Sequence, residues 1–251
     1  MKWAVCLFLP LSLLAACDSG STEAIAVSAE PPAEVVISSN DFALVPCGAS
    51  QDAACVLVFA GGKGLLFGAP AGLSNGISED RLASLDSTFL FSLMPRDVEG
   101  LDEVRNRGWR AGRADALIVA GPEGVGDMIT ALNLAFEQPD ALSYVEEGAP
   151  RGGFNAALLQ AGVEVVSEAA AFDSGDLKVS GVSGPGSHLT YRIGYRDLAG
   201  NWHDLVLKPC SGPEPAAPNY DAEPRSVTVI ACDGEDADLN WPIRDVIKIT
   251  K

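Results

Sequence analysis

Histidine is nearly absent: the 251-residue chain has two, His188 and His203. Two imidazoles cannot supply the nitrogen-rich ligand set of a multi-histidine zinc centre. Basic residues are also scarce, 17 Lys and Arg against 34 Asp and Glu, for a net charge of −17. Such a surface excludes nucleic acid, whose binding needs Lys and Arg to neutralise phosphates. No apolar run reaches the ~20 residues that cross a bilayer as a helix. The segment Ser183-Gly-Pro-Gly-Ser187 is not the G-x-S-x-G of a serine nucleophile elbow. Asp233–Asp238 does not follow the calcium-loop pattern and reads as a solvated acidic loop. Glu146 and Glu147 are adjacent, so they do not face one another as a working carboxylate pair and read as part of a surface connector.

What is present begins with MKWAVCLFLPLSLLAAC. One lysine, an apolar stretch and small residues leading to a cysteine have the order of a secretory signal, and Leu14-Ala15-Ala16-Cys17 resembles a bacterial lipobox. Residues 1–16 are therefore expected to be removed and Cys17 to carry lipid, anchoring the chain in the bacterial cell envelope, facing the periplasm or the exterior. Residues 17–34, rich in Ser, Ala, Glu and Pro, predict a flexible tether. One folded domain is expected over 35–251. With Lys2 gone, 16 basic residues face 34 acidic ones, a net charge of −18.

Four further cysteines, Cys47, Cys55, Cys210 and Cys232, suit an oxidising compartment. The expected pairs are Cys47–Cys55 across a short hairpin and Cys210–Cys232 between two late strands, although four cysteines admit other pairings. Neither pair has the close spacing of a thiolate metal site. Short strands are predicted at 35–38 and 42–45, and 55–60 with 64–67 reads as a hairpin around Gly61-Gly62-Lys63. Helices are predicted at 77–85, 98–107 and 123–136, the second stopped at Gly108. Val125, Met128, Ile129, Leu132 and Phe136 form a core-facing stripe on the third. Strands are expected at 87–91, 116–120, 178–182, 189–195, 202–207 and 226–232, with Tyr144–Gly153 and Gly212–Pro224 as connectors. Strands alternating with helices, then mainly strands, indicate a layered α/β sandwich.

Three blocks carry a family resemblance: CVLVFAGGKGLLFGAPAGL at 55–73, FLFSLMPRDVEGL at 89–101 followed by RNRGWRAGRADALIVAGPEGVGDMITALNLAF at 105–136, and DLKVSGVSGPGSHLTYRIGYRD at 176–197. In this order they resemble the ribonuclease Z and arylsulfatase-like branch of the metallo-β-lactamase superfamily. The resemblance implies an αββα sandwich of two mixed sheets flanked by helices. It also implies zinc, held by a Thr-His-x-His-x-Asp-His loop. Here those four ligand positions fall on Ser92, Met94, Arg96 and Asp97. The histidine expected seven residues before Tyr191 is Gly184, and the bridging aspartate falls at Pro209 or Cys210. Gly68 stands where the family's opening hairpin has an aspartate.

The resemblance thus carries the fold while the ligand set is missing, and no cofactor is expected. Arg96 and Asp97 are read either as an ion pair plugging the former metal cavity or as an exposed pair worth little. His188 and His203 read as structural or surface residues. The expected protein is a lipid-anchored binding or structural module that has lost zinc hydrolysis, its old cleft being the default site for a small molecule, with an envelope protein as the other possible partner. The alternative is a metal-dependent hydrolase of small esters or phosphoesters with a divergent site. Processing of tRNA is opposed by export, by charge and by the missing ligands.

Overall fold

Phe42–Pro46 (β1), Val56–Ala60 (β2) and Lys63–Phe67 (β3) are apolar almost without interruption and buried on both sides, as strands covered on two faces must be. Their side chains split with period two. Phe42, Leu44, Val56, Val58, Leu65 and Phe67 enter the core between two sheets, whereas Val45, Leu57 and Leu66 enter a second core beneath helices. The structure is a computed structural model and describes residues 36–47, 53–210 and 212–250. The expected signal at 1–16, the expected lipidation site Cys17 and the expected tether at 17–34 lie outside the described residues; Val35–Lys251 form one compact unit.

After β3 come a helix at Glu79–Ala83 (α1), strand Ser87–Phe89 (β4), and helices Pro95–Val98 (α2) and Leu101–Arg110 (α3). Strand Leu117–Pro122 (β5) and helix Val125–Glu147 (α4) follow. Then seven strands run to the C-terminus: Leu159–Val165 (β6), Glu168–Asp173 (β7), Leu177–Ser183 (β8), Leu189–Arg196 (β9), Trp202–Leu207 (β10), Pro224–Ala231 (β11) and Leu239–Asn240 (β12). An eighth, Ile247–Thr250 (β13), closes the order. One sheet has the order β13-β1-β2-β3-β4-β5-β6 and the other β12-β11-β10-β9-β8-β7. Both are mixed, since β3-β4-β5-β6 and β10-β11-β12 are parallel and the remaining pairs antiparallel.

The expected sandwich of two mixed sheets with flanking helices is the one found. The helices pack against the seven-stranded sheet, and beyond Glu147 no α-helix forms among the described residues. The outward side of β9 and β10 is covered instead by the irregular segment after Gly212, where Tyr220 stacks on Trp202 at 4.2 Å and its hydroxyl donates to Asp204.

Three expectations are corrected. Residues 36–38 are irregular. α3 passes through Gly108, because a side chain there would meet the Arg113 guanidinium at 2.4 Å and the Leu82 carbonyl at 2.7 Å; the glycine permits close packing and does not end the helix. α4 runs past the expected end at 136 to Glu147, through Pro139 and into the first four residues of the expected connector. The buried Asp140 next to Pro139 accepts from Arg105 of α3, which ties down the last part of α4 that Pro139 would release. No described helix is long and apolar enough to cross a membrane.

Both disulfides form as expected, Cys47–Cys55 with Cα atoms 5.7 Å apart and Cys210–Cys232 with Cα atoms 5.3 Å apart. The second bridges residues 22 apart in sequence. Removing it with paired Cys→Ser substitutions is expected to lower stability by about 3 kcal/mol through restored unfolded-chain entropy, measured by denaturant unfolding of the two proteins side by side.

Candidate functional site

The loop after β4 uses its side chains to start a helix. Met94 is the N-cap of α2 and Pro95 its first residue, a position whose missing N–H costs nothing. The Ser92 hydroxyl donates to the Asp97 carboxylate and accepts from the Met94 N–H at 3.0 Å. Ser92 and Asp97 are both buried. The Asp97 carbonyl accepts from the Ala69 N–H at 3.0 Å, joining this loop to the turn after β3. Arg96 is exposed and makes no hydrogen bond or ion pair among the described residues. The plug of Arg96 on Asp97 is not formed: Arg96 is exposed to solvent, whereas Asp97 is buried and bonded to Ser92.

Gly68 shows why the hairpin carries no aspartate here. Its φ is +76°, and a Cβ would lie 2.1 Å from the Ala54 carbonyl oxygen, so any side chain is excluded. The later positions are equally committed. Gly184 donates its N–H to the His188 carbonyl at 2.9 Å and lies against Pro213. Pro209 is buried, and Cys210 is consumed by its disulfide.

Between these positions the edge of the sandwich is filled by rings. Phe67 stacks on Phe89 at 4.7 Å, and Tyr191 meets Phe89 at 5.6 Å and Phe91 at 5.7 Å. Phe91 in turn meets Trp241 at 6.0 Å. Polar ends are matched: the Tyr191 hydroxyl donates to the Leu90 carbonyl at 2.9 Å and the Trp241 indole to the Lys208 carbonyl at 2.8 Å. Burial pushes the Tyr191 hydroxyl well above its ordinary range, so it stays a neutral donor. The Leu189 N–H donates to the Phe91 carbonyl at 2.7 Å, fixing the start of β9 to the segment just after β4.

The donor chemistry does not fit zinc. Of the six positions, only Asp97 carries an anionic ligand group, and Ser92 occupies it. His188 is half-buried, with its Nδ1 buried and unpartnered among the described residues. Among the described residues no three His, Cys, Asp or Glu side chains converge as a metal site. Glu235 of the acidic loop pairs with Lys208 at 3.2 Å, and Asp238 accepts from the Val229 N–H at 2.8 Å, so this loop is tied to β11 rather than merely solvated.

No convincing Ser, His and Asp set is evident in the sequence, yet the structure brings one together at the far end of β9 around His203, which reads from sequence as a structural or surface residue. His203 Nε2 meets Asp197 Oδ2 at 2.9 Å and Nδ1 meets Ser226 Oγ at 3.1 Å. Its only sequence signal is placement: Asp197 and His203 flank the β9–β10 turn, and parallel pairing sets Ser226 opposite His203. That pairing cannot be read before β11 is placed beside β10.

No family model matches the chain, and no curated protein matches it. Among solved structures it is similar to the short form of human tRNase Z, with 14% identity over 69% of this chain and 70% of that one and a TM-score of 0.46. It is also similar to the metallo-β-lactamase fold protein YhfI from Bacillus subtilis, at 12% identity over 67% and 63% of the two chains and a TM-score of 0.40. A long-form RNase Z from yeast matches at 10% identity and a TM-score of 0.48, covering 79% of this chain and 33% of that one. The likeness is one of fold: two mixed sheets with flanking helices.

Proposed function

We propose that the chain is a lipid-anchored protein of the bacterial envelope whose metallo-β-lactamase-like domain has lost zinc hydrolysis and serves as a binding or structural module. The observation that carries this reading is the commitment of the ligand positions to other work. Ser92 and Asp97 bond each other at the start of a helix, Gly184 packs on Pro213, Cys210 is in a disulfide, and aromatic rings fill the edge between them. An open coordination position and several fixed nitrogen or oxygen ligands are what metal hydrolysis needs, and these side chains supply neither. The partner is a small molecule or an envelope protein; the acidic balance opposes nucleic acid. Two disulfides suit an exported chain.

The anchor is tested by expressing the full chain in bacteria fed an alkyne fatty acid. Label on the wild type, absent from Cys17→Ser, with the wild type in the membrane fraction, is the expected result. Equal label on both proteins, or none on either, would refute lipidation at Cys17.

A further inference from the structure

Asp197 is held as an anion. Its hydrogen bond with His203, followed by those from the backbone of Asn201, keeps its carboxyl down at about 2. Oδ1 accepts the Ala199 N–H and the Asn201 N–H, both at 2.9 Å, leaving Oδ2 for the imidazole. An anionic carboxylate only accepts, so Nε2 carries the ring proton and Nδ1 is left to accept from the Ser226 hydroxyl. The His203 side chain is only 9% exposed, which fixes the ring, whereas Ser226 is exposed. A nucleophile within hydrogen-bond reach of a base, itself oriented by a third group, is the arrangement of nucleophilic catalysis.

The three residues line one cleft between the two sheets, of about 470 Å³, a size suited to a small ligand. Leu198, Ala199 and Ile249 give it apolar wall, and Arg225 lines it beside Ser226. Arg225 makes no ion pair among the described residues and offers a cation to a developing oxyanion.

We propose that Ser226, His203 and Asp197 form a nucleophilic site for short-chain carboxylic esters, separate from the former metal edge and independent of the lipid anchor. Ser226 Oγ bonds to the acyl carbon while its proton passes to His203 Nδ1. The ester C–O bond breaks, and the alcohol leaves with that proton. Water then gives a proton to Nδ1, its oxygen bonds the acyl carbon, and the Oγ–acyl bond breaks. Oγ recovers the proton, so ester and water become acid and alcohol. Ser226 and His203 are the catalytic residues; Asp197 is a positioning residue acting through His203.

The test is labelling of the full chain with an alkyl fluorophosphonate, in which Oγ bonds phosphorus and fluoride leaves. A single adduct mapped by peptide mass spectrometry to Ser226 is expected. S226A, which changes an exposed side chain, should melt like the wild type and take no label. H203Q should label about 100-fold more slowly, the lower end of a general base's contribution. Hydrolysis of 4-nitrophenyl butyrate should fall in parallel. No adduct on Ser226 in the wild type, or equally fast labelling of H203Q, would overturn the proposal. The adduct is mapped on wild-type protein, so a poorly folded variant cannot obscure the outcome.

Discussion

Asp140→Ala is expected to destabilise the folded unit by about 3–5 kcal/mol, the range for breaking a buried ion pair from one side. Arg105 is fully buried and gives both ends of its guanidinium to Asp140, one of them at 3.1 Å, beneath the Phe136 ring at 4.9 Å. The pair ties α3 to α4 beyond Pro139. A second buried cation makes the loss worse. Arg113 donates to the carbonyls of Arg105 at 2.9 Å and Ala156 at 3.0 Å, and burial, with the nearby Arg105 charge, brings it down to about 10. Without Asp140, the buried Arg105 guanidinium has no carboxylate partner and still faces the charge of Arg113. Arg105→Met combined with Asp140→Leu should recover most of the loss, because both charges then leave together. Urea unfolding of the wild type, the single and the double variant measures this; a single variant as stable as the wild type would show that the pair holds nothing.

Phe91→Ala is expected to cost about 3–5 kcal/mol as well, combining lost burial with a cavity that stiff neighbours cannot close. Phe91 has no exposed surface and touches Tyr191 and Trp241, while its carbonyl receives the Leu189 N–H. Backbone pairing survives the substitution, so the loss reports the ring alone. Met94, three residues on and half exposed, provides the comparison: Met94→Ala should stay within about 0.5 kcal/mol, as surface changes do. Equal effects at the two positions would mean that the aromatic fill is not what closes this edge.

Much of the first sheet was legible because its strands obey local rules. β2 and β3 are apolar runs joined at Gly61-Gly62, both with positive φ, and the four cysteines pair as strand proximity allows. β6 and β7 escaped notice because they are edge strands. In LQAGVEV only the end residues Leu159 and Val165 are buried, and EAAAFD has no buried residue, so no alternation marks them and their neighbours β5 and β8 impose the conformation. β13 is four residues long and exists because β1 offers an edge. The far side of α4 misled for the opposite reason: Leu134, Leu142 and Val145 are exposed, so periodicity faded where the helix did not. The family blocks placed Ser92, Met94, Arg96 and Asp97 in the loop after β4, but no sequence motif marks the local bonds that Ser92 makes to Asp97 and Met94. The Asp197, His203 and Ser226 cluster needs cross-strand register, which no single segment encodes.

The central claim is that this domain keeps a metallo-β-lactamase-like architecture without its metal. Elemental analysis of the full chain, purified without a tag, incubated with zinc and dialysed, tests it most directly. The expected result is zinc, iron and manganese all far below one per chain, with a melting temperature unmoved by zinc or by a chelator. Near-stoichiometric metal, lost on chelation together with hydrolysis of small esters or phosphoesters, would contradict it and establish a divergent metal hydrolase.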